Sequence, residues 1–221
     1  MWRSVICMIT LSFPLISCGQ DWIGVSVGGN LSSISYQNSS FEKYENLKGA
    51  AAAFFTMFTQ TRVSGVPGHK SSTLLTTEFG YKSHALKDIS NQSLTTWGFH
   101  YITAAIGGRY YHRSPTILNS YYGAGMVADV LLAGRQTSVF QQEDLTKSVK
   151  RVNIGIAVDA GFFYELTEDS FCTFGFGYTR GLRNVEKNRD RYTLLHSWKM
   201  SVAMILTLSQ KKTGKKNHSG K

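Results

Sequence analysis

The chain has little proline, only three residues in 221. Charged side chains make up 17%, against roughly 25% in soluble globular chains. There is no long apolar run. The longest, Val5 to Ser17, is interrupted by Pro14 and falls short of the roughly 20 residues a spanning helix needs. A helical membrane bundle is therefore excluded. Cysteine numbers three. Cys7 and Cys18 lie in the first segment, so Cys172 is the main thiol left, and no disulfide framework can form. There is no CxxC pair and no Cys/His cluster, so no metal centre or other cofactor is expected.

The residues that are abundant point elsewhere. Aromatics reach 13% and glycine numbers 21. Such a chain has too much to bury to be disordered. Weak charge, much glycine and many aromatics without a long apolar run are the composition of a membrane-spanning β-barrel. The net charge of +10 does not argue for nucleic acid. Lys211, Lys212, Lys215, Lys216 and Lys221 supply about half the excess in an acid-free tail. The remaining charges are scattered and form no basic face interleaved with aromatics.

Residues 1–19 have the layout of an export signal. Met1-Trp2-Arg3 gives a positive start, Val5 to Ile16 is apolar, and Ser17, Cys18 and Gly19 are small. Ser17 and Gly19 fit cleavage before Gln20. Leu15-Ile16-Ser17-Cys18 also resembles a bacterial lipobox, in which Cys18 would be acylated. Simple cleavage is the better fit, because a barrel holds itself in the membrane and gains little from an acyl anchor. The expected organisation is thus a signal over 1–19, a barrel over 20–209 and a basic tail over 210–221.

Period-two alternation recurs through the middle of the chain. In the segment from Val152 to Tyr164, Val152, Ile154, Ile156, Val158 and Phe162 share one face. Asn153, Gly155, Ala157, Asp159 and Gly161 share the other. Phe174, Phe176 and Tyr178 alternate with Thr173, Gly175 and Gly177. Trp198, Met200, Val202 and Met204 alternate with Lys199, Ser201 and Ala203, with Ile205 an exception. Two segments are less clean. Ala50 to Gln60 is apolar on both faces, and Thr96 to Tyr111 is assigned by placing Arg109 inward. Eight strands are predicted, near 22–31, 49–61, 72–84, 95–111, 117–134, 149–166, 170–183 and 191–208. Their connections alternate long and short, with long polar segments at Ser32–Lys48, Ala85–Leu94, Arg135–Ser148 and Asn184–Asp190, although the turn after the second strand, with Gly65-Val66-Pro67-Gly68, is longer than the pattern asks. This is an up-and-down antiparallel barrel.

Face chemistry separates membrane from water. A soluble lipocalin-type barrel points its apolar face inward. Here the small, polar face is too poor in Lys and Glu to meet solvent, and an eight-stranded barrel has little interior room for the bulky face. The bulky face is therefore assigned to lipid. Glu78, Lys82, Arg109, Asp129, Asp159 and Lys199 are then inward. Glu78, Arg109, Asp129, Asp159 and Lys199 are expected to form a lumen charge network, with Arg109 or Lys199 near Asp129 and Asp159. A network that plugs the barrel and an ion or proton path are the two readings, and the narrow lumen favours the first. His196-Ser197 is the one pair suggestive of a lipid-modifying enzyme. Adjacent strand residues face opposite sides, so the pair cannot share a site, and no catalytic residue is assigned. His69, His84, His100 and His112 read as interfacial or solvated.

Several short motifs, in order, resemble the outer-membrane β-barrel domain family common in Bacteroidetes, which includes PorT-like proteins. They are Ile23-Gly24-Val25-Ser26-Val27-Gly28-Gly29-Asn30-Leu31, Thr77-Glu78-Phe79-Gly80-Tyr81, Tyr101-Ile102 through Arg109-Tyr110-Tyr111, Tyr122-Gly123-Ala124-Gly125 and Phe174-Gly175-Phe176-Gly177-Tyr178 with Gly181-Leu182. The resemblance spans most of 20–208. It implies a barrel in the outer membrane of a Gram-negative bacterium, with no enzymatic activity common to the family. The expected partners are outer-membrane lipid and envelope or secretion proteins, and no nucleic acid. The expected role is structural, adhesive or accessory to transport and secretion.

Overall fold

A computed structural model describes residues 22–38, 48–64, 71–88, 95–114, 119–138, 141–167, 169–185 and 191–208. The signal segment with Cys18, the basic tail and His69 lie outside the described residues. The strands are β1 (Trp22–Asn38), β2 (Lys48–Ser64), β3 (Ser71–Asp88), β4 (Thr95–His112), β5 (Asn119–Thr137), β6 (Gln142–Asp144), β7 (Val152–Thr167), β8 (Ser170–Gly181) and β9 (Arg191–Thr207). A 3-10 turn, Leu145–Lys147, follows β6. Eight strands pair antiparallel with their sequence neighbours, and β1 pairs with β9 to close the barrel. Strand β6 is a short addition to β5 at Arg135–Thr137.

Every strand with a parity assigned from the sequence keeps it. Val25, Val27, Met126, Ile156, Phe176, Met200 and Met204 are exposed on the outer surface. The ambiguous β2 is apolar on both faces because both are used. Phe55 and Met57 point out, while Phe54 and Phe58 are buried in the lumen. Ile205 is fully buried, so the inward exception in β9 is a packing residue.

Three expectations need correction. The strands run further than predicted: β1 continues to Asn38, β3 to Asp88 and β5 to Thr137. Polar outward residues ended the sequence signal, but the ladder hydrogen bonds continue where the sheet leaves the membrane, since backbone pairing needs no apolar side chain. The long connection after β5 also contains its own strand and turn. Finally, His84 is neither interfacial nor solvated. It shares the inward parity of Lys82 and is 1% exposed, with Ser32 Oγ hydrogen-bonded to its Nδ1.

The lumen is filled in three zones. At the end that carries both termini, Leu74, Tyr111, Tyr121 and Phe163 pack beside Phe58 and Ile205, with Trp22 and Phe171 against both groups. At the opposite end, Ile34, Leu86, Phe99, Tyr101, Leu131 and Leu195 form a second apolar cluster. Leu145, Val149 and Val185 complete it from the two connections above the rim. Backbone bonds hold them there: Lys150 N–H donates to Val185 O at 2.7 Å, and Val185 N–H to Thr193 O at 2.9 Å. Charged residues occupy the zone between.

The outer surface is zoned as well. From Leu208 to Trp198, β9 presents only apolar side chains outward. Ten residues at about 3.3 Å each, tilted by about 40°, give a belt about 25 Å tall. Tyr110, Tyr122 and Tyr164 ring the terminus end, and Tyr81, Tyr178 and Trp198 the other. Amphipathic rings gather where hydrocarbon meets headgroups, so the belt and its two borders define a membrane-spanning barrel.

Candidate functional site: the lumen charge network

The central residues are positioned by one continuous register line. Arg109 of β4 pairs with Gly123 of β5, which pairs with Asp159 of β7. Asp159 in turn pairs with Gly177 of β8, and Gly177 with Lys199 of β9. Charged residue and glycine alternate around the wall. The glycines make room: a Cβ on Gly123 would lie 2.4 Å from Asp159 Oδ1, and one on Gly177 2.7 Å from Lys199 Cε. Arg109 therefore reaches across Gly123, and the Lys199 stem lies over Gly177.

Arg109 is the hub. Its Nη2 donates to Glu78 Oε1 at 2.6 Å and its Nε to Asp159 Oδ2 at 3.0 Å. All three side chains are 12–16% exposed. The Phe58 and Tyr121 rings each lie 5.5 Å from the guanidinium carbon, so the cation has ring faces as well as two carboxylates. Below it, Gln60 Nε2 donates to the Tyr111 hydroxyl at 2.9 Å, linking the charged zone to the aromatic plug.

The structure joins Glu78 and Asp159 to Arg109, but not Asp129. Asp129 pairs with Lys82 at 3.4 Å and is 1% exposed. Its ladder partner on β7 is Asn153, six residues along from Asp159. The two aspartates are thus on different levels and need no shared cation. Lys82, on β3 with Glu78, is the residue that sequence reasoning left out of the network. Its i, i+4 spacing from Glu78 on one face of a strand was the available signal. Lys199 makes no ion pair within 4.0 Å among the described residues, although it lines the same cavity as Glu78.

That cavity measures about 70 Å³ and is lined by Asn30, Lys82, Arg109, Asp159, Ser197 and Lys199, among others. It accommodates roughly five waters at 10–15 Å³ each. Water there fits the buried Asn30 Oδ1, which lines the cavity and has no hydrogen-bond partner among the described residues. Three cations and two anions thus line a compartment with room for water between two apolar plugs, and Asp129 is bonded to one of the cations, Lys82. Such an arrangement fixes register and fills space. Ser197 is buried in the wall, and His196 is on the outer face, where the Tyr178 hydroxyl and its Nδ1 share a hydrogen bond at 2.9 Å. The two cannot act as nucleophile and base on one substrate. Among the described residues no group of His, Cys, Asp and Glu could hold a metal ion.

No protein-family model matches the chain, and no curated protein matches its sequence. Solved structures share its fold. The outer membrane protein OprG from Pseudomonas aeruginosa superposes with a TM-score of 0.51 at 11% identity, over 87% of this chain and 97% of its own. Neisserial surface protein A gives 0.40 at 11% identity, over 82% and 96%. Ail, the attachment invasion locus protein of Yersinia pestis, gives 0.38 at 12%, over 85% and 99%. At these identities the likeness is one of fold. The fold is that of a Gram-negative outer-membrane β-barrel, and the apolar belt with its aromatic borders places the protein in the outer membrane.

Proposed function

We propose that this protein is a non-enzymatic outer-membrane barrel that presents the segments 39–47, 89–94 and 138–151 outside the cell. Its work there is structural, adhesive or accessory to transport and secretion, in the manner of the PorT-like proteins of Bacteroidetes that its motifs resemble. One observation supports the reading above the others: the described lumen is closed by side chains at both ends, with its charges other than Lys199 paired in the middle. A filled barrel leaves its exposed connections as the surface through which it meets protein partners. The termini share one end, as an even strand number requires, and that end is periplasmic in this reading.

Epitope tags test it. Tags within 39–47 or 139–141 label on intact cells, whereas tags at Pro67 or in the Lys211–Lys216 tail label only after permeabilisation. Affinity purification through the same tags from detergent-solubilised membranes then recovers an envelope or secretion partner. Labelling at Pro67 on intact cells would overturn the orientation. Lipid A that changes its acylation when the protein is expressed, and loses that change with Ser197→Ala, would overturn the non-enzymatic reading.

A further inference from the structure

Two clusters of the same three residue types stand on the outer surface, at the border of the apolar belt furthest from the termini. In the first, the Tyr178 and His196 rings stack with centroids 6.2 Å apart and planes 12° from parallel. The Tyr178 hydroxyl bonds His196 Nδ1 at 2.9 Å, and Arg180 lies directly across the β8–β9 ladder from His196. In the second, Tyr81 and His100 stack at 5.9 Å and 20°, and the Tyr81 hydroxyl bonds His100 Nδ1. Arg135 lies across the β4–β5 ladder from Gly98, two residues from His100 on the same face. Gly98 leaves open space between them, since a Cβ there would meet nothing within 4 Å.

The chemistry of each cluster is that of an anion site. In the tautomer in which the tyrosine hydroxyl donates to Nδ1, the imidazole proton is on Nε2 and the ring offers a donor on its far side. An exposed arginine beside it adds the planar donor fork that suits phosphate. Lys87, Lys150, Arg151 and Arg183 stand at the same end, against Glu143 and Asp144. Asp144, which pairs with Arg135 across the β5–β6 ladder, is already engaged by Thr146. The height of the sites matters too. They sit where hydrocarbon gives way to headgroups, so the anion they meet belongs to an amphiphile. Trp198, 63% exposed and 4.7 Å from the Tyr178 ring, offers a flat face of the kind that packs on a sugar ring.

We propose that Tyr178–His196–Arg180 and Tyr81–His100–Arg135 each bind the phosphate of a phosphorylated glycolipid in the surrounding leaflet. This rests on the orientation proposed above, in which that end lies in the outer leaflet. The sites hold boundary lipid in place at two positions on the wall and so tie the barrel to the leaflet it presents its connections through.

Native mass spectrometry of the full chain in detergent provides the test, with diphosphoryl lipid A, fully dephosphorylated lipid A and phosphatidylglycerol as probes. Diphosphoryl lipid A is retained by the unaltered protein, and each lost arginine fork weakens retention about ten-fold, the value of one charge-assisted contact. R135Q/R180Q therefore retains it poorly, while Y178F, which removes the hydroxyl from His196 Nδ1, is intermediate. R113Q at the terminus end retains it like the unaltered protein. Equal retention by R135Q/R180Q and the unaltered protein overturns the sites, whatever the tag labelling says about orientation. Equal retention of dephosphorylated lipid A or of phosphatidylglycerol overturns the glycolipid phosphate as their ligand. The arginines are exposed, and recovery of the heat-modifiable band on gels confirms that each variant folds.

Discussion

Replacing Arg109 with methionine isolates the hub of the lumen. Two charge-assisted bonds are lost, at 2.6 and 3.0 Å, each contributing about 1.5–3 kcal/mol. Glu78 and Asp159 are left with 16% and 13% exposure and no cation within bonding distance. A dry pair broken in this way costs about 3–5 kcal/mol. The cavity of about 70 Å³ beside them has room for several waters, enough to hydrate the carboxylates in part, which brings the expectation to about 3 kcal/mol, the lower end of that range. Neutralising all three residues in E78Q/R109M/D159N removes the stranded charges together with the cation. That variant is expected to lose about 1 kcal/mol, less than the single substitution, because a buried ion cluster replaced by neutral groups is close to neutral in stability. The assay is reversible urea unfolding from lipid vesicles, followed by tryptophan fluorescence and by the mobility shift of the folded barrel on gels. An R109M cost below about 1 kcal/mol would refute the account of Arg109 as a dehydrated hub. So would a triple variant weaker than R109M, since stranded charge would then not be the cause.

The other expectations follow from the same geometry. Ile156→Arg and Met204→Arg, both on the outer belt, each cost about 2–4 kcal/mol in vesicles near the midplane, and a cost near zero by the same unfolding assay would contradict the lipid assignment. A double-substitution cycle on Lys82 and Asp129, paired at 3.4 Å, shows coupling, whereas Arg109 and Asp129 combine additively within about 0.5 kcal/mol. Gly123→Ala places a Cβ 2.4 Å from Asp159 Oδ1, so overpacking costs about 1–3 kcal/mol and the ladder near Asp159 loses hydrogen-exchange protection. Outside the membrane, the Asp144 carboxyl is held below the usual carboxylate range by the side chain and backbone N–H of Thr146. A depressed carboxyl contributes order above its free value that is lost as pH falls through the folded one. Thr146→Val therefore moves the Asp144 titration, read by NMR in detergent, toward the ordinary value.

Most of the barrel was legible because membrane strands carry their environment in alternate residues. Val152 to Tyr164 reads correctly since lipid accepts only its bulky face and the narrow lumen only its small one. The extensions of β1, β3 and β5 were not legible, because beyond the membrane the outward residues meet water and the alternation fades while the backbone pairing goes on. The central triad was partly legible. Parity sent Glu78 and Asp159 inward, and Arg109 was placed inward to settle an ambiguous strand, but which acid meets which cation depends on register between strands, and no single strand encodes that. Asp129 and Asp159 share a face pattern, yet they differ in level by six residues, enough to give them different partners. The Tyr–His pairs left no signal at all, since stacking across a ladder joins residues that are 18 and 19 positions apart.

Glycine is the residue whose meaning changed most between sequence and structure. Read along a strand, Gly123 and Gly177 are merely small members of an inward face. Read around the wall, they are the gaps between Arg109, Asp159 and Lys199. An eight-stranded lumen is too narrow for a charged side chain from every strand at one level. Alternating charge with glycine lets each long side chain lie over a neighbour that has none, so opposite charges meet sideways along the wall. The two apolar plugs then exclude bulk water above and below, which strengthens the pairs they enclose. The same exclusion makes each pair costly to break. The barrel's rigidity is therefore concentrated in its middle, and the connections above Leu145, Val149 and Val185 are free to vary for whatever they bind.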